Sequence, residues 1–188
     1  KRFVREFETL RELRIPGVAA VYEAGEHDRL LWFSMEKVDG VDFRKKLLAI
    51  PDMRARVLAA AQLGIQLCDV LKSIHRHGYI HRDIKPSNVL VDRRNTLKIL
   101  DFGVVQGTAS GTPITLPGSV LGTFPFMAPE QIAGLPLTEK LDIFAAGLLI
   151  YEGIMGPRPA PAKPHEWLSI QCLEQPTSLA SLHKQVPR

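Results

Sequence analysis

Three polar side chains near the middle of the chain have types and spacing that suit chemistry on a metal-bound phosphate. Asp83 lies five positions before Asn88, and Asp101 lies thirteen positions after Asn88. Amide and carboxylate oxygens are the hard ligands that magnesium prefers in proteins. We therefore expect a magnesium site if the fold brings the amide of Asn88 and the carboxylate of Asp101 together.

Two short apolar runs predict the element that would bring them together. Val89–Val91 and Leu97–Leu100 flank the polar segment Asp92–Thr96, which is the pattern of a β-hairpin. Closing such a hairpin places the residue before its first strand beside the residue after its second strand. The pattern therefore predicts that Asn88 and Asp101 lie side by side.

The stretch Tyr79–Gly103 resembles the catalytic loop and the magnesium loop of the eukaryotic-type protein kinases. It reads HRDIKPSNVL from His81 and DFG from Asp101, which are two motifs of that family. The triplet HRD or the triplet DFG alone would be weak evidence for the family, because Asp and Gly occur in turns of any protein. Both motifs with a hairpin between them are very unlikely to arise by chance.

The resemblance implies a role for each matching residue. Asp83 would accept the proton of the substrate hydroxyl, and Lys85 would neutralise charge on the transferred phosphoryl group. Asn88 and Asp101 would hold the magnesium ions that bridge the phosphates of ATP.

The long segment Val104–Met127 is rich in Gly, Thr and Pro and has no periodicity, which indicates a functional or a disordered loop. From Gly122 the chain reads GTFPFMAPE, which resembles the end of the activation segment of the family. The resemblance implies that Thr123 bridges Asp83 and Lys85, a feature of serine/threonine rather than tyrosine kinases.

The residue before the catalytic Asp is Arg82, and in the family such an Arg binds a phosphate on the activation segment. We therefore expect phosphorylation to order this segment. The candidate acceptors are Thr108, Ser110, Thr112, Thr115 and Ser119. Thr115 and Ser119 are favoured by their spacing to Thr123, and the alternative is that Arg82 pairs with a nearby carboxylate.

The first forty residues resemble the end of the small lobe of the family. Arg2–Leu13 has a helical apolar period, with Glu6 on the apolar side. The resemblance implies that Glu6 pairs with a strand Lys that binds ATP phosphates; the chain contains neither that Lys nor the Gly-rich loop before it. Val18–Tyr22 and Leu30–Met35 are predicted as strands, joined by a turn at Glu23–Arg29.

The resemblance also implies where ATP would bind. Met35 would lie deep behind the adenine, although a simple core role is an equal alternative. Glu36, Lys37 and Val38 would form the hinge, and Asp42 would contact the ribose. The implied ATP-binding residues are Met35, Glu36, Val38, Asp42, Leu90 and Glu6.

Three segments predict helices in the second part of the chain. Arg54–His75 is strongly amphipathic, and Trp167–Cys172 predicts one short helix. Leu141–Met155 is apolar and resembles the central helix of the large lobe. The resemblance implies that Asp142 fixes the backbone of the catalytic loop; a simple N-terminal Asp, favoured by the helix dipole, is compatible with that role.

Composition excludes several classes of protein. The 188 residues are 45% hydrophobic and 23% charged with a net charge of +4, so we expect a globular domain with no nucleic-acid partner.

Cys68 and Cys172 form neither a metal spacing nor a disulfide framework, which predicts a cytoplasmic location. His75, His77 and His81 are close in sequence, but no further ligands complete a zinc site. Because Leu141–Met155 is too short to span a bilayer, we expect no membrane contact within the segment.

These observations predict an α+β, protein-kinase-like, two-lobed fold with a truncated small β lobe that carries one helix and a mainly helical large lobe. Residues 1–38 would be the end of the small lobe and the hinge, and residues 39–188 a large lobe without its final helices. We expect the chain to be an internal piece of a longer protein, termed the parent protein below, whose motifs resemble those of bacterial multidomain kinases.

The predicted function is a serine/threonine protein kinase that uses ATP and Mg²⁺ to phosphorylate Ser or Thr hydroxyls of protein substrates. We expect the isolated piece to be inactive, because the phosphate-covering loop and the strand Lys lie outside it. The alternatives are a pseudokinase that serves as a binding scaffold and, with less support, a small-molecule phosphotransferase.

Overall fold

A computed structural model describes residues 14–27, 30–100, 124–161 and 166–173 of the chain. The predicted helix at residues 2–13 and most of the predicted activation segment lie outside these ranges. The strands are β1 (Val21–His27), β2 (Leu30–Met35), β3 (Gly40–Asp42), β4 (Val89–Asp92) and β5 (Leu97–Ile99). The helices are α1 (Phe43–Leu48), α2 (Met53–Arg76), α3 (Pro129–Ile132), α4 (Lys140–Met155) and α5 (Glu166–Leu173), and 3₁₀ turns cover Pro86–Asn88 and Phe124–Phe126.

Strands β1 and β2 form a two-stranded antiparallel sheet. Strand β2 has the predicted bounds, but the predicted strand Val18–Tyr22 and turn Glu23–Arg29 are wrong, because β1 runs from Val21 to His27. Gly25 explains the difference: it pairs with Trp32, and a Cβ on it would come within 2.8 Å of the Trp32 ring. This glycine therefore admits an aromatic ring of the neighbouring strand and does not mark a turn.

The residues before β1 pair with the second part of the chain. Val18 forms a parallel bridge with Ile99, and the amide of Ala19 donates to the Ile99 carbonyl at 2.9 Å. The amide of Ile99 donates to the Gly17 carbonyl at 2.8 Å. This short pairing joins the small sheet to the edge of the second sheet.

The second sheet has the order β3-β4-β5 and contains the predicted hairpin. Its turn is closed by Asp92, whose Oδ1 accepts from the amides of Arg94 and Thr96 at 2.8 Å each. Helix α2 supports the turn through Gln66, which accepts from the Leu97 amide and donates to the Asn95 carbonyl. Strand β3 and helix α1 were not predicted, because they are only three and six residues long.

The three longer helices confirm the sequence analysis to within one residue at each end. Helix α2 begins after Asp52, whose carboxylate caps it by accepting from the Ala55 amide at 2.7 Å. The core lies between α1, α2, α4 and the hairpin. Its fully buried large side chains include Phe43, Leu47, Leu67, Leu71, Ile74, Leu97, Ile99 and Leu149.

Among the described residues, one helix is long and apolar enough to cross a membrane by length and composition alone, and it is α2. The sequence analysis considered only Leu141–Met155, in α4, as a possible membrane-spanning segment. Seven residues of α2 are buried, and the helix packs against α4 and β5. The place of α2 in the core thus explains its buried apolar face, whereas Leu58 and Ile65 of the same helix are exposed.

Helices α1 and α4 touch at Gly153, and this contact generates a prediction. A Cβ on Gly153 would lie 2.5 Å from Leu47 Cδ1 and 3.1 Å from Phe43 Cε1. Gly153→Ala should therefore overpack the contact at a cost of about 1–3 kcal/mol, of which the higher helix propensity of Ala offsets about 1 kcal/mol. The expected net result is a lower midpoint of thermal unfolding in the parent protein.

Gly147 in the same helix is the matched control, because a Cβ there meets nothing within 4 Å. Gly147→Ala should leave the midpoint unchanged or raise it, since Ala favours a helix over Gly by about 1 kcal/mol. Equal effects of the two substitutions would contradict close packing at Gly153.

Candidate active site

The catalytic loop brings three of the predicted site residues into contact around Asp83. Its Oδ2 lies 2.6 Å from Lys85 Nζ and accepts from Asn88 Nδ2 at 2.9 Å. The same Nδ2 donates to the Asp83 carbonyl at 2.9 Å. The other carboxylate oxygen, Oδ1, is buried and makes no hydrogen bond among the residues that the structure describes. The carboxylate is thus held in place through one of its two oxygens.

Asn88 connects this carboxylate to the hairpin. Its side chain is 4% exposed, and its Oδ1 accepts from the hydroxyl of Ser87 at 3.1 Å. Its carbonyl accepts from the Leu100 amide at 2.7 Å. The residue before the hairpin, Asn88, therefore contacts Leu100 at its end, in agreement with the predicted hairpin. Asp101 follows Leu100 directly but lies outside the described residues.

The backbone of the loop is fixed by Asp142, in the first turn of α4. This residue is 0% exposed, and its oxygens accept from the amides of His81 and Arg82 at 2.8 Å each. His75 Nε2 lies 2.7 Å from the same carboxylate. Arg82 has a φ of 69°, a left-handed conformation that is rare for residues other than Gly. The predicted role of Asp142 is confirmed, and so is its position at the N-terminus of a helix.

His81 crosses from the loop to the end of the hairpin. It is fully buried, its Nε2 lies 3.0 Å from the Leu100 carbonyl, and its Nδ1 accepts from the Asp83 amide at 3.3 Å. These contacts suit the tautomer that donates from Nε2 and accepts at Nδ1. Within the described ranges, no three His, Cys, Asp or Glu side chains group as metal ligands.

Glu36, in the predicted hinge, has a side-chain role that the sequence analysis missed. Its amide donates to the Ala20 carbonyl at 2.7 Å, its Oε2 accepts from the Ala20 amide at 3.1 Å, and its Oε1 pairs with Lys98 Nζ. The hydrogen bond from Lys98 is the main reason that the pKa of Glu36 is lowered; burial opposes the shift and the Ala20 amide supports it. No local signal joins residues 62 positions apart, so this pair could only be found in the fold.

The other residues predicted to contact ATP lie in or beside strands β2, β3 and β4. Met35 is half-buried at the end of β2, opposite Val21, and Leu90 is half-buried in β4. Val38 is half-buried between β2 and β3. Asp42 caps α1 by accepting from the Lys45 amide at 2.8 Å, and its contact with a ribose stays a prediction.

Two predicted site residues and one predicted metal ligand lie outside the described residues. They are Glu6, Thr123 and Asp101. The candidate phosphate acceptors between residues 108 and 119 also lie outside, and the corresponding predictions remain as stated.

A second cluster missed by the sequence analysis surrounds the buried Glu152. Its carboxylate pairs with Arg44 Nη1 at 2.7 Å and with Arg158 Nε at 3.1 Å. Arg158 also donates to the Pro125 carbonyl and lies over the ring of Trp167, 5.0 Å from its centroid. Arg158 thus joins the last turn of α4 and the first turn of α5 to the end of the predicted activation segment.

Comparison with known families gives a match over nearly the whole chain. A family model described as the protein kinase domain matches residues 1–187. This match includes the catalytic loop and all the described elements.

Curated relatives are bacterial proteins of the same kind. The serine/threonine-protein kinase PknB of Mycolicibacterium smegmatis is 33% identical over 163 residues, which cover 84% of this chain and 26% of that protein. PrkC of Bacillus subtilis, also named a serine/threonine-protein kinase, is 33% identical over 156 residues, which cover 83% of this chain and 24% of that protein. The chain therefore spans about a quarter of the length of these relatives.

The Asp142 contacts generate a prediction about the loop backbone. Asp142→Asn keeps the volume of the side chain but leaves one acceptor oxygen for the two loop amides. The NH₂ group of the new side chain then faces one of these amide donors. The amides of His81 and Arg82 should exchange with solvent about tenfold faster or more, since each lost buried hydrogen bond costs about 1–3 kcal/mol. Hydrogen exchange of the parent protein measures this, with the exposed Asp69→Asn in α2 as the control. Unchanged exchange in a folded variant would contradict the anchoring role.

The Glu36–Lys98 pair generates a prediction about pH. Lys98→Met should lower the free energy of unfolding at pH 7 by about 1 kcal/mol, since the pair is only partly buried. Because the folded-state pKa of Glu36 is lowered, the pair stabilises fully above the unfolded-state pKa of about 4.3 and loses its effect as the pH falls through the folded-state pKa.

The difference between wild type and Lys98→Met should therefore shrink below about pH 4. Urea unfolding over a pH series measures it. Lys72→Met, at an exposed position of α2, should show no such trend. A difference for Lys98→Met that stays constant with pH would exclude the ion pair as its cause.

Proposed function

Because the chain belongs to the protein kinase domain family, we propose that its parent protein is a serine/threonine protein kinase. It would transfer the γ-phosphate of ATP to Ser or Thr hydroxyls of protein substrates. The observation that carries the proposal is the carboxylate of Asp83, whose Oδ2 is bound by Lys85 and Asn88 while Oδ1 is buried without a hydrogen bond among the described residues. A carboxylate held in this way is suited to act as a general base toward a substrate hydroxyl.

In the proposed mechanism, the carboxylate of Asp83 accepts the proton of the substrate hydroxyl as the hydroxyl oxygen forms a bond to the γ-phosphorus of ATP. The bond between this phosphorus and the oxygen that bridges it to the β-phosphate breaks, and ADP leaves. Lys85 stays beside the carboxylate, and its ammonium group neutralises part of the charge on the transferred phosphoryl group. Phosphoryl transfer needs mainly correct positioning and charge stabilisation from the protein. The hydrogen bonds from Asn88 to both the side chain and the carbonyl of Asp83 serve the positioning.

The family implies the use of ATP and usually of Mg²⁺, and the described residues fit a metal at one position. The side-chain nitrogen of Asn88 is bound to Asp83, which leaves its Oδ1 as the oxygen ligand, with only the hydroxyl of Ser87 donating to it. Asn88 and Asp101 would hold the ion, a pair of hard oxygen ligands. Bound magnesium would supply charge neutralisation at the phosphate oxygens.

The binding of ATP would use the hinge and the strands beside it. Backbone groups of Glu36 and Val38 would meet the adenine edge, with Met35 behind it and Leu90 below. The clamp of the Glu36 side chain by Lys98 and Ala20 supports this, because it fixes the hinge backbone. Glu6, Asp42 and Thr123 keep the roles that the family resemblance implies.

A cytoplasmic location for the domain is part of the proposal. Cys68 is a free, exposed thiol, which is common in proteins of reducing compartments. The two alternatives, a pseudokinase scaffold and a small-molecule phosphotransferase, are separated from a protein kinase by activity measurements on the parent protein.

The experiment replaces Asp83 by Asn in the full-length parent protein. Loss of the base should lower the rate of phosphate transfer from ATP to protein by about a hundredfold to ten-thousandfold. The midpoint of thermal unfolding should change little, because Asn keeps the size of Asp and can accept from Lys85. Radiolabel transfer to protein measures the rate.

The matched control is Asp39→Asn, at an exposed carboxylate whose pairing with Arg93 lies on the surface. It should retain the activity of the wild type. A wild-type protein that binds ATP without transferring phosphate would favour the pseudokinase, and transfer only to small molecules would favour the phosphotransferase. Near-normal activity of Asp83→Asn would exclude Asp83 as the base.

A further inference from the structure

Gln131 makes two hydrogen bonds that join separate parts of the active-site region. It lies in the short helix α3, directly after the end of the predicted activation segment. Its Oε1 accepts from the Ala128 amide at 2.9 Å, and its Nε2 donates to the Arg82 carbonyl at 3.0 Å. The side chain is half-buried, so water competes weakly for both bonds.

The carbonyl that Gln131 binds belongs to the peptide group that leads into Asp83. The amide at the other side of this peptide, that of Asp83, donates to His81 Nδ1 at 3.3 Å. The amide of Arg82 donates to Asp142. Gln131 is therefore the third side chain, after Asp142 and His81, that holds the backbone around residue 82. Among the residues that the structure describes, it is the side chain that donates to the Arg82 carbonyl.

These contacts matter because the backbone at Arg82 is strained. A φ of 69° is unfavourable in a residue other than Gly and persists only when surrounding contacts impose it. A peptide group released at its carbonyl can rotate toward an ordinary conformation. Since Asp83 follows directly, such a rotation would move its carboxylate away from the position that Lys85 and Asn88 define.

We propose that Gln131 is a positioning residue for Asp83, which couples the docked end of the activation segment to the orientation of the base. The inference rests on the proposed kinase function and deepens it. The amide side chain suits the task because it must accept from one backbone amide and donate to one backbone carbonyl at the same time. Neither Glu nor Met, which have similar length, can do both.

The inference predicts which kinetic constant changes. Gln131 touches neither the hinge residues nor the predicted ATP contacts among the described residues, so the KM for ATP should stay close to that of the wild type. A misplaced base impairs the chemical step, so kcat should fall. An effect confined to kcat separates positioning of the base from a general weakening of the fold, which would change both constants.

The experiment compares Gln131→Glu and Gln131→Met in the full-length parent protein. Glu keeps the acceptor for Ala128 and loses the donor to Arg82; Met removes both groups without adding charge. With dephosphorylated casein as the phosphate acceptor, kcat should fall by about tenfold to a hundredfold in both variants. The matched control is Gln62→Glu, the same chemical change at an exposed position of α2, which should behave as the wild type.

Each other outcome has a distinct meaning. Normal kcat in either variant overturns the inference, as does impairment of Gln131→Glu alone, which would assign the effect to the added charge. A KM for ATP that rises in parallel, or an equal loss of thermal stability in both variants, would assign Gln131 to the fold and overturn the inference as well. A wild-type protein that transfers no phosphate to any protein overturns the proposed function itself.

Discussion

A carboxylate that lies out of contact with water must be surrounded by donors, and Asp142 is surrounded by the catalytic loop. Two backbone amides and the ring of His75 satisfy its two oxygens. Its place in the first turn of α4 adds the favourable end of the helix dipole. The cost of burying this charge is therefore offset only when the loop adopts its observed path, so the core helix and the loop geometry depend on each other.

The hairpin depends on the loop in a similar way. The carbonyl of Asn88 binds the amide of Leu100, and His81 contacts the Leu100 carbonyl. The end of β5 is thus fixed to the same loop that α4 anchors. As a result, Asp83, Asn88 and the end of β5 at Leu100 are positioned by one connected set of hydrogen bonds.

Features formed by residues close in sequence could be predicted, whereas contacts between residues far apart in sequence could not. Asp83, Lys85 and Asn88 were found because they lie within six residues, and the helices and the hairpin because their apolar periods are long and regular. Strand β1 was misplaced because Gly25 suggests a turn until its neighbour Trp32 is known. The Lys98–Glu36 pair and the Arg158 cluster could not be predicted, since their partners come from segments whose proximity exists only after folding.

The left-handed backbone at Arg82 also constrains which amino acids the loop can contain. Valine, isoleucine and threonine are branched at Cβ and clash in this region of φ and ψ, whereas glycine enters it without penalty and asparagine or aspartate enters it readily. Among substitutions that remove the charge of Arg82, tolerance should therefore rank by main-chain preference before size. A saturation library of the loop would show this as a depletion of β-branched residues at residue 82. Backbone conformation, and not side-chain burial, would determine which residue types are depleted there.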